Sequence, residues 1–106
     1  LNIRTLVPGD ALNFPSYGDC VCVQYVGWLA REGTMFDNSY NRKQSLFFKL
    51  GSGQTIAAFE LALPKMSRGQ KIQLVAPPHL AYGEVGYPPI IPGNSALKFE
   101  IELISF

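Results

Sequence analysis

The feature that most limits what this chain can become is the pattern of its last segment, where Leu97, Phe99, Ile101 and Leu103 are apolar and Lys98, Glu100 and Glu102 between them are charged. Successive side chains of a strand point to opposite faces, so this alternation buries one face and wets the other, as in a half-buried antiparallel strand. Three further segments repeat it: Val21, Val23 and Tyr25 against Cys20, Cys22 and Gln24; Leu46, Phe48 and Leu50 around Lys49; Ile72 and Leu74 around Lys71 and Gln73. Weaker strands are expected over Ile3 to Val7 and Thr34 to Asp37, with Pro8-Gly9, Tyr17-Gly18 and Glu32-Gly33 as turn signals. A chain of 106 residues has room for one domain, residues 1–106, and one core.

One stretch breaks the alternation. Ile56, Phe59 and Leu63 fall at helical spacing, and Ala57, Ala58, Leu61 and Ala62 favour a helix. Pro64 belongs at or just after the end of that helix, because inside it the ring would remove a backbone donor and clash with the preceding turn. So short a helix draws its stability from packing its apolar stripe on the sheet. The expected fold class is α+β, an antiparallel sheet of about five strands wrapped around one short α-helix. From Pro77 to Asn94 no period is sustained, and Pro77, Pro78, Pro88, Pro89 and Pro92 mix with Gly83, Gly86 and Gly93. The apolar Tyr82, Tyr87, Ile90 and Ile91 in it point to a long ordered loop that covers a pocket.

Composition removes several function classes. The chain is 47% hydrophobic and 16% charged with a net charge of +1, and Arg42, Lys43 and Lys49 form too thin a cluster to track phosphates, so nucleic acid is not an expected partner. No apolar run approaches the roughly 20 residues of a membrane helix, and Leu1 to Arg4 do not resemble a secretory signal. Cys20 and Cys22 lie two apart on one strand, with side-chain origins about 6 to 7 Å apart against the roughly 4 Å of a disulfide. Free thiols favour a reducing compartment, the cytoplasm, although targeting segments ahead of Leu1 are left open. His79 is the single histidine and lies beside Pro78 in the long loop, no Ser or Cys stands in a nucleophile motif, and no metal-ligand spacing occurs. Gly51-Ser52-Gly53 lacks the lysine and distal glycine of a nucleotide cradle. No metal and no cofactor are expected.

What remains is aromatic surface: Tyr25, Phe36, Phe48, Phe59, Tyr82 and Phe99 all fall on segments expected to face inward or to cover the core. Aromatic residues dominate small cores whatever the function. Asp37, directly after Phe36, is either a surface residue at a strand end or a placed charge.

Read in order, Tyr25-Val26-Gly27, Gly33, Phe36-Asp37, Ser39, Phe48, Leu50-Gly51, Ile56, Met66, Gly69-Gln70, Ala81-Tyr82-Gly83, Ile90-Ile91-Pro92 and the closing strand with Phe99 and Glu102 resemble the FKBP family of immunophilins over nearly the whole chain. The resemblance implies a curved antiparallel sheet around one short helix, peptidyl-prolyl cis-trans isomerase activity on X-Pro segments of protein clients, binding of the macrolides tacrolimus and rapamycin, and a monomer. It implies a pocket walled by Tyr25, Phe36, Phe48, Ile56, Tyr82 and Phe99, with Phe59 as its floor. It implies roles at the reacting amide for Asp37, as a polar wall group, for the Ile56 backbone N–H, which would hold a carbonyl, for the Tyr82 hydroxyl, and for the Phe36 ring. Leu46, Thr55, Tyr87, Ile90 and Ile91 would complete the rim.

The chain departs from the family pattern at Phe59, where the smallest members usually carry Trp, at Leu46 for a common Phe, at Thr55 for an aliphatic residue and at Tyr87 for a common His. The smaller Phe59 implies a slightly deeper pocket and weaker macrolide affinity. One extra residue between Leu29 and Phe36 is expected to be absorbed by a hairpin loop. Two readings follow: an isomerase, or a noncatalytic module of the same fold that holds a partner protein.

Overall fold

A computed structural model describes all 106 residues. In chain order it contains β1 (Asn2–Val7), β2 (Cys20–Leu29), β3 (Met35–Asn38), α1 (Ser39–Arg42), β4 (Leu46–Lys49), α2 (Ala57–Ala62), β5 (Lys71–Ala76) and β6 (Leu97–Ser105). All strand pairs are antiparallel, in the order β1-β5-β6-β2-β3, and β4 also pairs with β2. There are six strands against the expected five because one position beside β2 is split. β4 occupies one end of that edge and β3 the other.

The alternation sets which side chains form the core. On the inner face Leu97, Phe99, Ile101 and Leu103 of β6 lie beside Ala76, Leu74 and Ile72 of β5 and beside Leu29, Gly27, Tyr25 and Val23 of β2. Nearly all of these are sealed from solvent, whereas Lys98, Glu100 and Glu102 on the opposite face remain partly exposed. Each fully buried Leu or Ile contributes about 1.5–3 kcal/mol of transfer free energy, so these rows supply the driving force for the sheet. Cys20 and Cys22, expected to share a face, differ in exposure. Cys22 is buried between Phe47 and Ser105, while Cys20 lies beyond the end of the β6 pairing and is exposed.

The helix expected over Ile56 to Leu63 is α2, six residues long, with Ile56 as its N-cap. It buries Ala58, Phe59 and Ala62 against the sheet. The chain then tightens into a 3₁₀ turn at Leu63–Lys65, which accommodates Pro64 in its first turn, where no backbone donor is needed. The one-turn helix α1 was not expected. Its start is set by Asn38, whose side chain accepts the Asn41 N–H, and it ends at Lys43 in the left-handed region with φ 54°. The Pro77 to Asn94 loop holds itself together: Gly83 and Asn94 bond to Pro78 and Gly83 carbonyls, and Tyr87 and Ile91 exchange backbone bonds of 2.8 and 2.9 Å.

One carboxylate braces the start of the segment between β1 and β2. Asp10 accepts the backbone N–H groups of Leu12 and Asn13, each at 3.0 Å, and the Asn13 side-chain amide at 2.7 Å. These bonds, that from the Asn13 backbone foremost, lower its pKa from 3.8 to about 2. A carboxylate with a depressed folded-state pKa stabilises the fold above its unfolded value and loses that contribution as pH falls through the folded one. The stability difference between wild type and Asp10→Asn, from urea unfolding, is therefore expected to be constant above about pH 4 and to shrink as pH falls toward 2.

Candidate active site

The inner face of the sheet is not sealed at every point. Between β2, β3, the start of α2 and the long loop lies a cavity with about 300 Å³ of empty space, part of it open to solvent. Tyr25, Phe36, Asp37, Leu46, Thr55, Ile56, Phe59, Tyr82 and Phe99 line it. Each arrives by a different local rule. Tyr25 and Phe99 take inward positions on β2 and β6, Phe36 and Asp37 come from the edge strand β3, and Phe59 rises from α2 at 2% exposure. Thr55 and Ile56 precede the helix, and Tyr82 hangs from the loop.

The rings meet edge to face, the arrangement their quadrupoles favour. Phe59 and Phe99 are 4.9 Å apart at 83°, Phe36 and Phe99 5.7 Å at 88°, and Tyr25 and Phe59 5.8 Å at 82°. This packing requires the absence of a side chain at Gly27, directly opposite Phe99 in the β2–β6 register. A Cβ there would lie 2.6 Å from the Phe36 ring and 2.9 Å from the Phe99 ring.

Polar groups are confined to the rim. Asp37 Oδ2 accepts the Tyr25 hydroxyl at 2.5 Å, and Oδ1 accepts the Asn38 N–H at 2.8 Å and faces Arg42 Nε at 3.2 Å. Arg42 also donates to the Tyr25 hydroxyl oxygen at 3.3 Å. Asp37 is thus a placed charge rather than a loose strand-end residue. Burial, reinforced by the neighbouring Asp37 carboxylate, pushes the Tyr25 phenol up to about 12. Burial, then Tyr87 and Asp37, raises Tyr82 as well.

Two donors at the cavity have no acceptor within the protein: the Ile56 backbone N–H, just ahead of α2, and the Tyr82 hydroxyl. The chain approaching Ile56 is tied down by Glu60, whose Oε2 accepts the Gly51 N–H. No cluster of three or more His, Cys, Asp or Glu side chains occurs. An apolar cavity with two free donors and no nucleophile suits a ligand held by its carbonyls and its apolar ring.

Of the residues singled out from sequence, the cavity brings together nine. Tyr87, Ile90 and Ile91 line an adjoining cavity with Phe36, Asp37 and Tyr82, and the Tyr82 and Tyr87 rings are 5.5 Å apart. Phe48, expected in the wall, is not among the lining residues: it pairs opposite Val21 on β4 and packs within the core. The reason is distance along β2, since Val21 lies a full four residues from Tyr25. Arg42 was missed as a site residue because no apolar period runs through α1. The Asn38-Ser39 capping signal one turn earlier would have placed it.

A family model described as FKBP-type peptidyl-prolyl cis-trans isomerase matches residues 12–104. FK506-binding protein 1 of Rhizopus delemar is 39% identical over 104 residues, covering 98% of this chain and 95% of its own. FK506-binding protein 1A of Emericella nidulans is 38% identical over 104 residues, with the same shares of each chain. The human protein named peptidyl-prolyl cis-trans isomerase FKBP4 is 43% identical over 98 residues, 92% of this chain but 21% of that longer protein.

Gly27→Ala is expected to destabilise the protein by about 1–3 kcal/mol, because two packed rings must move to admit one methyl group. Urea unfolding would measure this, and shifted ring resonances of Phe36 and Phe99 would locate the strain. Wild-type stability with unshifted rings would mean that position 27 has room for a methyl group and that the ring packing does not depend on glycine there.

Proposed function

This chain belongs to the FKBP-type peptidyl-prolyl cis-trans isomerase family, and from that premise we propose that its rotation of X-Pro amides takes place in the aromatic cavity of Phe36, Phe59, Phe99 and Tyr25. The observation that carries this reading is the pair of unpartnered donors, the Ile56 N–H and the Tyr82 hydroxyl, at the border of a cavity otherwise lined by rings. The proline ring fills the apolar space, and the donors hold the carbonyls on either side of it.

The barrier to rotation is about 20 kcal/mol and comes from amide resonance, so no bond needs to be cleaved. The planar amide is more charge-separated than the twisted one. A dry aromatic cavity therefore disfavours the planar form, and fixed donors orient the carbonyls for the twisted one. A thousandfold acceleration requires only about 4 kcal/mol of selective stabilisation. Two oriented hydrogen bonds and a shaped cavity supply energies of that order. Asp37, held by Tyr25, Asn38 and Arg42, presents a fixed charge at the wall without acting as a base.

The same cavity is the proposed seat of a macrolide of the FK506 type, the ligand in the names of the fungal relatives; tacrolimus is that compound. The exposed free Cys20 supports a reducing compartment, the cytoplasm.

The test is cis-trans exchange of a short Leu-Pro peptide, read by NMR with and without the protein. Acceleration abolished by tacrolimus is the expected result. Tyr82→Phe is expected to lower the exchange rate about fivefold, the value of one hydrogen bond of about 1 kcal/mol. Asp37→Ala, which frees Arg42 and removes the wall charge, is expected to lower it about tenfold. Acceleration that survives saturating tacrolimus would place the chemistry elsewhere.

A further inference from the structure

Strand β2 keeps β6 as one neighbour from Cys22 to Leu29, but its opposite edge changes partner. β4 pairs with Cys20 to Val23, and β3 pairs with Val26 to Trp28. Gln24 and Tyr25 fall in the seam, where α1 passes instead of a strand. A backbone group left there without a ladder partner would be costly, and a side chain supplies the bond. Tyr25 donates its backbone N–H to Ser39 Oγ at 2.7 Å. Ser39 in turn donates its hydroxyl to Gln24 Oε1 at 2.5 Å, and Gln24 Nε2 donates to Ser45 Oγ at 2.9 Å.

Ser39 is 0% exposed, one of two buried polar residues in the protein. Its hydroxyl uses both its donor and its acceptor, so its removal would strand a backbone N–H and an amide oxygen together. Ser39 is also the first residue of α1, a single turn too short to hold its own place. The last residue of that turn is Arg42, whose guanidinium lies 3.2 Å from Asp37 and 3.3 Å from the Tyr25 hydroxyl.

We propose that Ser39 is a positioning residue of the isomerase site: by splicing α1 onto β2 at Tyr25, it holds Arg42 against the Asp37–Tyr25 pair and so sets the orientation of the wall charge. Ser39 does not line the cavity, and it acts only through α1 and Arg42. The role rests on the reading that rotation takes place in that cavity. It differs from a contribution to stability alone in one respect: its effect on the reaction vanishes when Arg42 is absent.

The experiment is a double-mutant cycle in the peptide-exchange assay with Ser39→Ala and Arg42→Ala, together with the Arg42 Nε–H signal in proton–nitrogen spectra. Ser39→Ala is expected to lower kcat/KM about tenfold and to move the Arg42 signal toward that of solvated arginines; in the Arg42→Ala background it is expected to cost less than about twofold. Gln24→Ala, at the half-buried end of the same network, is expected to shift both readouts in the same direction with about a threefold loss, and it decides the matter if Ser39→Ala does not fold. Additive losses, an unmoved Arg42 signal or a wild-type rate in the network variants overturns the role of Ser39 while leaving the cavity reading intact, provided that Arg42→Ala is itself slow. Wild-type rates in both Arg42→Ala and Asp37→Ala would instead remove the wall charge from the reaction, and the role of Ser39 would fall with it.

Discussion

Where β2 runs beside β6 at Gly27 and Phe99, the Phe36 and Phe99 rings occupy the space that any side chain at position 27 would need. The missing side chain lets those two rings meet edge to face, and both form part of the cavity lining. With a side chain there, the Phe36 and Phe99 rings would have to move from their edge-to-face arrangement. Seven of the eighteen residues in the buried core cluster belong to β2 and β6, so the proposed site and the core draw on the same two strands.

The charged and polar groups follow from the same strand. Tyr25 directs its ring into the cavity, its hydroxyl to Asp37 and its backbone N–H to Ser39. One residue therefore joins the apolar wall, the fixed charge and the one-turn helix. Its phenol, pushed up to about 12, stays protonated at neutral pH and keeps its bond to Asp37. Tyr82, raised in the same direction by burial, keeps its proton too. The site presents an unchanging set of donors, which suits a reaction that transfers no proton and asks only for orientation and a dry surface.

The family relationship places the chain among isomerases, and the proposed site offers a rotation an apolar cavity with oriented donors. The departures lie at the edges. Leu46 and Thr55 soften one side of the rim, and Tyr87 adds a second phenol beside Tyr82, while Phe59 keeps an aromatic floor packed on Phe99. These substitutions alter the shape offered to a ligand while leaving the two free donors and the Asp37 network in place.

The strands were legible because alternation is a local property: Leu97 to Leu103 can satisfy their chemistry only with one face buried, whatever the partner strand. The short helix was legible for the same reason, since Ile56, Phe59 and Leu63 share a face only at helical spacing and Pro64 stops it. Most cavity residues could be named through their family resemblance, but their arrangement could not be derived from periodicity. Phe48 shows the limit: it belongs to the same inward row as Leu46, and only the β4 register, which sets it opposite Val21, decides that it lies in the core rather than on the wall. Arg42 and the Ser39 seam show it again, because α1 carries no apolar period and its value lies in contacts with β2 some 15 residues earlier. The sequence by itself determined the secondary elements and their buried faces, through short-range periodicity. Tertiary structure alone decided where the core was left open and which side chains guard the opening, because those depend on register and close approach between segments far apart in the chain.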